Sequence, residues 1–308
     1  MSTVSSLGAD ASSAAWTRAR AGVGRFAEVV KLRIGLEIAL TALAGAAVMP
    51  RSPGSGWRIT SVALAVLVSA CAAGAYNQYA ERDIDVLMRR TRNRPFVTGT
   101  LGAGQRWPWV IAAVLSAAVL AAGWATNVAA AAWVLLGALT YGVVYTVWLK
   151  RRTWLNIIVG GFAGTFALLA GAAAVDPRPT PEATMLGIAL FFWTPPHFWS
   201  LALYHKADYA QAGIPMLPVL IGDRASAIVI AVHVVLVAVA SIAAGALGLG
   251  PAYLAAAIAG SAWFLVAAVA LVRQPNRGSA LRCFRASLIQ LTLLLLGAIV
   301  DGFVSARL

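Results

Sequence analysis

Residues 226–247 read SAIVIAVHVVLVAVASIAAGAL, twenty-two positions with no acidic side chain and no Lys or Arg among them. As an α-helix this stretch is about 33 Å long at about 1.5 Å per residue, enough to cross a hydrocarbon core of about 30 Å. It has no polar face that water could cover, as a surface helix of a soluble domain would. The stretch therefore reads as a membrane span. The rest of the chain repeats the pattern, with further spans expected at 34–50, 59–77, 108–126, 128–148, 155–175, 183–203, 252–272 and 284–304. Because hydrocarbon leaves no partner for an open backbone group, spans this apolar must fold as helices. The expected fold class is all-α, a polytopic bundle of about nine transmembrane helices.

Composition agrees. Of 308 residues, 60% are hydrophobic and 11% charged, and the mean hydropathy is +0.80, against roughly 45–50% and about 25% in soluble domains. The formal charge of +13 would suggest nucleic acid in a soluble protein, but its distribution points elsewhere. All 24 Lys and Arg residues except Arg51, Arg58, Arg178 and Arg307 fall in the amino-terminal arm, the alternate loops or the adjoining helix ends. That sidedness is the positive-inside signal. It predicts a cytoplasmic amino terminus and, with nine spans, a carboxyl terminus outside, in a cell (plasma or inner) membrane. No basic face interleaved with aromatics appears, so nucleic acid is not an expected partner, whereas the lipid bilayer is.

Residues 1–27, rich in Ser, Ala and Gly, read as a disordered cytoplasmic arm and not a secretory signal, leaving 28–308 as the membrane domain. Cys71 and Cys283 are isolated and imply neither a metal cage nor a disulfide framework.

Two polar regions on the basic side are out of place in such a chain. The first runs Asn77-Gln78-Tyr79-Ala80-Glu81-Arg82-Asp83-Ile84-Asp85 and continues to Arg94-Pro95. If the second span continues as a helix, Asn77, Glu81 and Asp85 stack on one face at four-residue spacing. These oxygen ligands suit Mg²⁺, with substrate phosphates completing its shell. Asp83 lies on another face and joins only if the helix loosens or a second ion binds there. Arg89, Arg90, Arg92 and Arg94 follow with guanidinium groups matched to phosphate oxygens. The competing reading is a solvated, charge-balanced loop that enforces topology.

The second region runs from Trp193-Thr194-Pro195-Pro196-His197 through Tyr204-His205-Lys206-Ala207-Asp208 to Pro215-Met216-Leu217-Pro218. The proline pair should kink the sixth span and free backbone carbonyls. Beyond it His197, Tyr204 and Asp208 share an ideal helix face, while Lys206 points away unless the helix ends near it. A smaller cluster, Lys150-Arg151-Arg152-Thr153 with Asn156, reads more readily as a topology anchor.

These motifs, with Met88, Arg90-Thr91, Arg94-Pro95, Tyr145-Thr146, Gly160-Gly161 and Pro195-Pro196-His197, resemble the UbiA-type intramembrane prenyltransferases from about residue 29 to 304. Within them the resemblance is to the subgroup that farnesylates heme. It implies helices around a central cavity and transfer of farnesyl from farnesyl diphosphate to a vinyl group of heme b, with water adding and diphosphate leaving. It further implies association with heme A synthase or a terminal oxidase assembly.

On this reading Asn77, Glu81, Asp85 and Asp208 hold Mg²⁺, with Asp83 beside them as a catalytic carboxylate. Arg90, Arg94, Lys150, Arg151 and Lys206 bind diphosphate, and His197, Tyr204 and Tyr145 contact the substrates. The sequence departs from the family pattern with Glu81 in place of an aspartate and with no proline before Arg33. The alternatives weighed are prenylation of an aromatic quinone precursor and a non-catalytic heme-binding or transport protein of the membrane. The density of carboxylates and arginines at one mouth argues against the latter.

Overall fold

The structure is a computed structural model that describes residues 22, 24–50 and 55–305. Most of the arm expected over 1–27 lies outside these residues. The described residues form helices α1 (Leu32–Ala47), α2 (Ser55–Ala80), α3 (Arg82–Asp85), α4 (Arg106–Ala125) and α5 (Val128–Leu139), with a π-helical segment, Thr140–Leu149, continuing α5. Then come α6 (Asn156–Gly160), α7 (Phe162–Val175), α8 (Pro181–Tyr204), α9 (Lys206–Gln211), α10 (Leu217–Ala246), α11 (Pro251–Arg273) and α12 (Arg277–Ser305). Eight helical stretches among these are long and apolar enough to cross a membrane. The span expected at 34–50 corresponds to α1, which at 16 residues is about 24 Å long and shorter than its neighbours.

The helices pack as a bilayer bundle does. Small residues meet at the interfaces, as in the cluster of Ala42, Ala65, Ala122, Ala130, Ala167 and Ala170, because the surrounding hydrocarbon gives apolar side chains no reason to turn inward and close backbone packing becomes the main attraction. Many large side chains accordingly point outward, with Leu120, Val128 and Val266 more than two-thirds exposed, although Trp199, Tyr253 and Phe264 are fully buried. Exposed tryptophans stand at both ends of the bundle, Trp109, Trp148 and Trp154 at one and Trp57 and Trp124 at the other, as interfacial anchors do.

The bundle is sealed at one end. There α1, α7 and α12 approach backbone to backbone: a Cβ on Gly171 would overlap the Ala42 carbonyl oxygen, one on Gly45 the Leu168 carbonyl, and one on Gly302 the Ala47 carbonyl. Asp301, on the last turns of α12, accepts the Gly250 N–H at 2.6 Å where α11 begins. Both polar regions lie at the opposite end, where short helices α3, α6 and α9 and the segment 86–105 cover the bundle.

Three local features shape that end. Lys31 is the only non-glycine residue with positive φ among the described residues (φ 50°, ψ 45°), a conformation that costs roughly 1 kcal/mol or more and persists only where surrounding contacts hold it. Gly74 of α2 backs the turn closely, since a Cβ there would lie 3.1 Å from the Val30 carbonyl oxygen, and Gln78 Nε2 donates to the Glu28 carbonyl at 2.8 Å. The second feature is the π-helical segment, and the third is α8, which stays helical through the buried pair Pro195–Pro196. The pair removes two backbone donors, and Gly161, between α6 and α7, lies against the Phe191 carbonyl in that stretch.

Candidate active site

Asn77, Glu81 and Asp85 do form one row. The α-helix breaks at Glu81, yet Glu81 N–H donates to the Asn77 carbonyl at 3.0 Å and Asp85 N–H to the Glu81 carbonyl at 2.8 Å, so the four-residue stacking survives the break. All three are buried, at 2%, 1% and 0% exposure. Each is held by a cation from another part of the chain. Lys31 Nζ donates to Asn77 Oδ1 at 2.5 Å, Lys150 Nζ to both Glu81 oxygens at 2.6 Å, and Arg94 to Asp85 Oδ2 at 2.5 Å. Asn77 Nδ2 in turn donates to Thr146 Oγ1 at 3.0 Å.

Lys31 gathers these charges at one point. Burial, and then the positive charges of Arg94 and Lys150, pull its ammonium down to about 7, while Glu81 and Asp85 act the other way. Lys31 was absent from the sequence-derived site because it is a single basic residue at a span boundary. Only the left-handed turn sends its side chain beneath α2, where it also donates to the Tyr141 hydroxyl at 3.0 Å.

The π-helical segment explains Lys150. At about 3.6 residues per turn, the nine positions from Tyr141 to Lys150 make about two and a half turns and would put them on opposite faces. A helix closed by i→i+5 bonds, such as Lys150 N–H to the Tyr145 carbonyl at 2.9 Å, lines up residues four and five apart. Tyr141, Tyr145, Thr146 and Lys150 therefore share the site face. Tyr141 and Tyr145 stack with centroids 5.6 Å apart, and Lys150 Nζ stands 5.7 Å above the Tyr145 ring.

Other expected residues lie apart. Asp83 is exposed and pairs with Arg151 through both oxygens at 2.7 Å, and that guanidinium holds its carboxyl below the usual range. Lys206, expected to clamp phosphate, instead donates to Asp223 of α10 at 2.6 Å. The face expected to carry His197, Tyr204 and Asp208 is interrupted because α8 ends at Tyr204 and His205 leaves helical geometry (φ −104°, ψ 25°). Tyr204 packs under Arg277 at 4.8 Å. The contact of Asp208 is His205 Nδ1 at 3.7 Å, and its carboxylate does not join Glu81 and Asp85. Among the described residues no group of three or more His, Cys, Asp or Glu side chains is gathered to hold a metal. The two regions still share a mouth: besides burial, the charge of Arg90 bears on His205 and lowers its pKa.

Deeper in α8, His197 is buried, with Nδ1 at 2.7 Å from Ser287 Oγ of α12. Trp193 stacks on the ring at 4.2 Å. Ile84 and Met88 of the first region belong to the same apolar cluster as Trp193, with Tyr145 and Phe192 packed against it. Beyond Phe192, an apolar cavity of about 280 Å³ opens between α7 and α8, walled by Phe162, Leu169 and Phe191.

The row fits a divalent cation in donor type and in one further observation. Asp85 Oδ1 is buried without a hydrogen-bond partner, a costly state for a carboxylate oxygen that a bound cation would relieve. With its ring of ammonium and guanidinium groups, the row suits a metal-bound polyanion.

The model of the UbiA prenyltransferase family matches residues 38–294. Protoheme IX farnesyltransferase 2 of Paramagnetospirillum magneticum is 53% identical over 275 residues, 89% of this chain and 96% of that one. Protoheme IX farnesyltransferase 1 of the same organism is 42% identical, over 90% of this chain and 98% of its own. The solved structure of a UbiA homolog from Archaeoglobus fulgidus bound to GPP and Mg²⁺ shares the fold, with a TM-score of 0.73 at 16% identity over 92% of this chain and all of that one.

Proposed function

The chain belongs to the UbiA prenyltransferase family, and from that premise we propose that it transfers the farnesyl group of farnesyl diphosphate to a vinyl group of heme b, giving heme O. It is a multi-pass membrane protein whose active mouth, by the distribution of Lys and Arg, faces the cytoplasm. The observation that carries the reading is the buried row Asn77–Glu81–Asp85 ringed by Lys31, Lys150 and Arg94. Heme as the acceptor rests on the names of its relatives, one of them 53% identical.

Ionising an allylic diphosphate requires the leaving group to be neutralised. Asn77, Glu81 and Asp85 would hold Mg²⁺, which when bound supplies that neutralisation as a Lewis acid. Lys31, Lys150 and Arg94 stand where diphosphate oxygens beside that row would be met, and Arg90 extends the positive mouth. The stacked Tyr141 and Tyr145 offer π-faces to a developing allylic cation. Phe192 and Trp193 keep the path below them apolar and so exclude water, and the cavity beyond Phe192 is room for an isoprenoid chain.

Purified protein in detergent, given heme b, farnesyl diphosphate and Mg²⁺, is expected to yield a farnesylated porphyrin by mass analysis. Unmodified heme together with prenylation of an aromatic quinone precursor would refute the reading. Chelation of the divalent ion is expected to abolish turnover and its readdition to restore it.

A further inference from the structure

Heme O differs from heme b by a farnesyl group and a hydroxyl, so the reaction proposed above needs a second event, capture of water. As its oxygen bonds to carbon, that water must lose a proton, and the carboxylates of the mouth are already engaged, Glu81, Asp85 and Asp83 by Lys150, Arg94 and Arg151 and Asp208 by His205 at 3.7 Å. His197 is differently placed. It sits on α8 about two turns below the end of that helix, next to the proline pair.

Its protonation pattern follows from its partners. Ser287 Oγ donates its single proton to the Phe284 carbonyl at 2.6 Å. Toward His197 Nδ1, 2.7 Å away, the hydroxyl can then only accept. Nδ1 therefore carries the hydrogen of the neutral imidazole and Nε2 keeps its lone pair. Nε2 makes no hydrogen bond among the described residues. The ring is held on both sides, stacked by Trp193 at 4.2 Å and packed by Phe284 at 4.7 Å. The indole of Trp193 is itself anchored on the Ser287 carbonyl at 2.9 Å. One turn further along α12, Gln290, whose stem lies against Gly260 of α11, has both amide atoms buried without protein partners, polar groups able to hold a water inside the bundle.

We propose that His197 Nε2 is the base that deprotonates the water captured by the prenylated heme, with Ser287 the positioning residue that fixes its tautomer. This rests on the farnesyl-transfer reading. The vinyl π-pair bonds its terminal carbon to C1 of the farnesyl group as the C1–O bond breaks, and that bonding pair leaves with diphosphate. The inner vinyl carbon, now cationic, accepts a lone pair from the water oxygen. One water proton moves to Nε2, giving an imidazolium whose Nδ1–H remains on Ser287, and it is released to solvent before the next turnover. When no base meets the water, the cation instead loses a proton from the adjacent CH₂ and gives an adduct lighter than heme O by one water.

The test is the ratio of hydrated to unhydrated adduct, by mass analysis, in protein supplied with heme b, farnesyl diphosphate and Mg²⁺. Wild-type protein is expected to give the hydrated adduct. His197→Ala is expected to lower the ratio at least about tenfold, since general bases contribute roughly 10²–10⁴-fold, and Ser287→Ala to lower it less. If His197→Ala forms neither adduct, the ratio in Ser287→Ala decides on the same terms. Hydrated adduct as the sole product of the variants overturns the proposal. So does a changed Soret band of bound heme in His197→Ala with an unaltered ratio, which would assign the imidazole to iron. Wild-type protein that forms no adduct at all overturns the underlying reading instead, and so the two failures are told apart.

Discussion

Lys150 holds buried Glu81 with both oxygens at 2.6 Å, while the next residue, Arg151, holds Asp83 where both side chains are at least 40% exposed. Removing one partner of a buried pair strands a charge and costs about 3–5 kcal/mol, whereas exposed pairs contribute roughly 0.2–1 kcal/mol. Lys150→Met is therefore expected to lower the unfolding temperature in detergent markedly and to abolish turnover. Arg151→Ala is expected to change the unfolding temperature little, and an equal loss in the two variants would refute the distinction. Asp85→Asn keeps shape while removing the charge beside Arg94. It is expected to lose turnover by about 10²-fold or more, since the charge that would hold the metal is lost, while remaining folded by size-exclusion chromatography. The Asn77–Glu81–Asp85 row was legible in the sequence because its four-residue spacing is the period of a helix. Lys31 and Ser287 were not, since a single Lys at a span boundary and a Ser in an apolar helix carry no periodic signal.

At the scale of elements, the π-helical segment and the glycine seams decide what the helices can present and how near they come. Gly45 and Gly171 are places where α1 and α7 come together backbone against backbone. Gly171→Ala is expected to destabilise the protein by several °C in detergent despite the better helix propensity of alanine. Gly164→Ala, on the same helix α7 but with nothing within 4 Å of its Cβ, is expected to be neutral or to stabilise by up to about 1 kcal/mol. Parallel effects of the two substitutions on thermal unfolding would remove the seam argument. The spans themselves could be read from hydropathy to within a few residues, except that α10 and α12 begin at Leu217 and Arg277, ahead of the expected 226 and 284. The π-helical register could not, because hydropathy does not distinguish i→i+4 from i→i+5 bonding in a stretch as uniformly apolar as Thr140–Leu149. The end of α8 at Tyr204 was likewise hidden, and it separates Asp208 from the face that an ideal helix would give it, while Lys206 turns to Asp223.

For the whole molecule, the polar mouth and the glycine-sealed end lie at opposite ends of the bundle, and the exposed residues Arg89 and Arg178 mark those ends. A cysteine in place of Arg89 is expected to react with a membrane-impermeant maleimide only from the cytoplasmic side, and one in place of Arg178 only from the other. The reverse pattern would invert the orientation drawn from the basic residues. The sequence by itself determined that the chain crosses the membrane many times as helices, which way its loops are charged, and that Asn77, Glu81 and Asp85 share a face. Composition and helical period are local properties, and hydrocarbon permits few alternatives to a helix. Only the tertiary structure decided which cation meets which carboxylate, that Lys31 turns inward, that Asp208 stands apart, and that Ser287 locks His197. Apart from Arg94 and Asp85, nine positions apart, these hydrogen-bonded pairings join residues 46 to 90 positions apart, and their partners are chosen by how the helices pack.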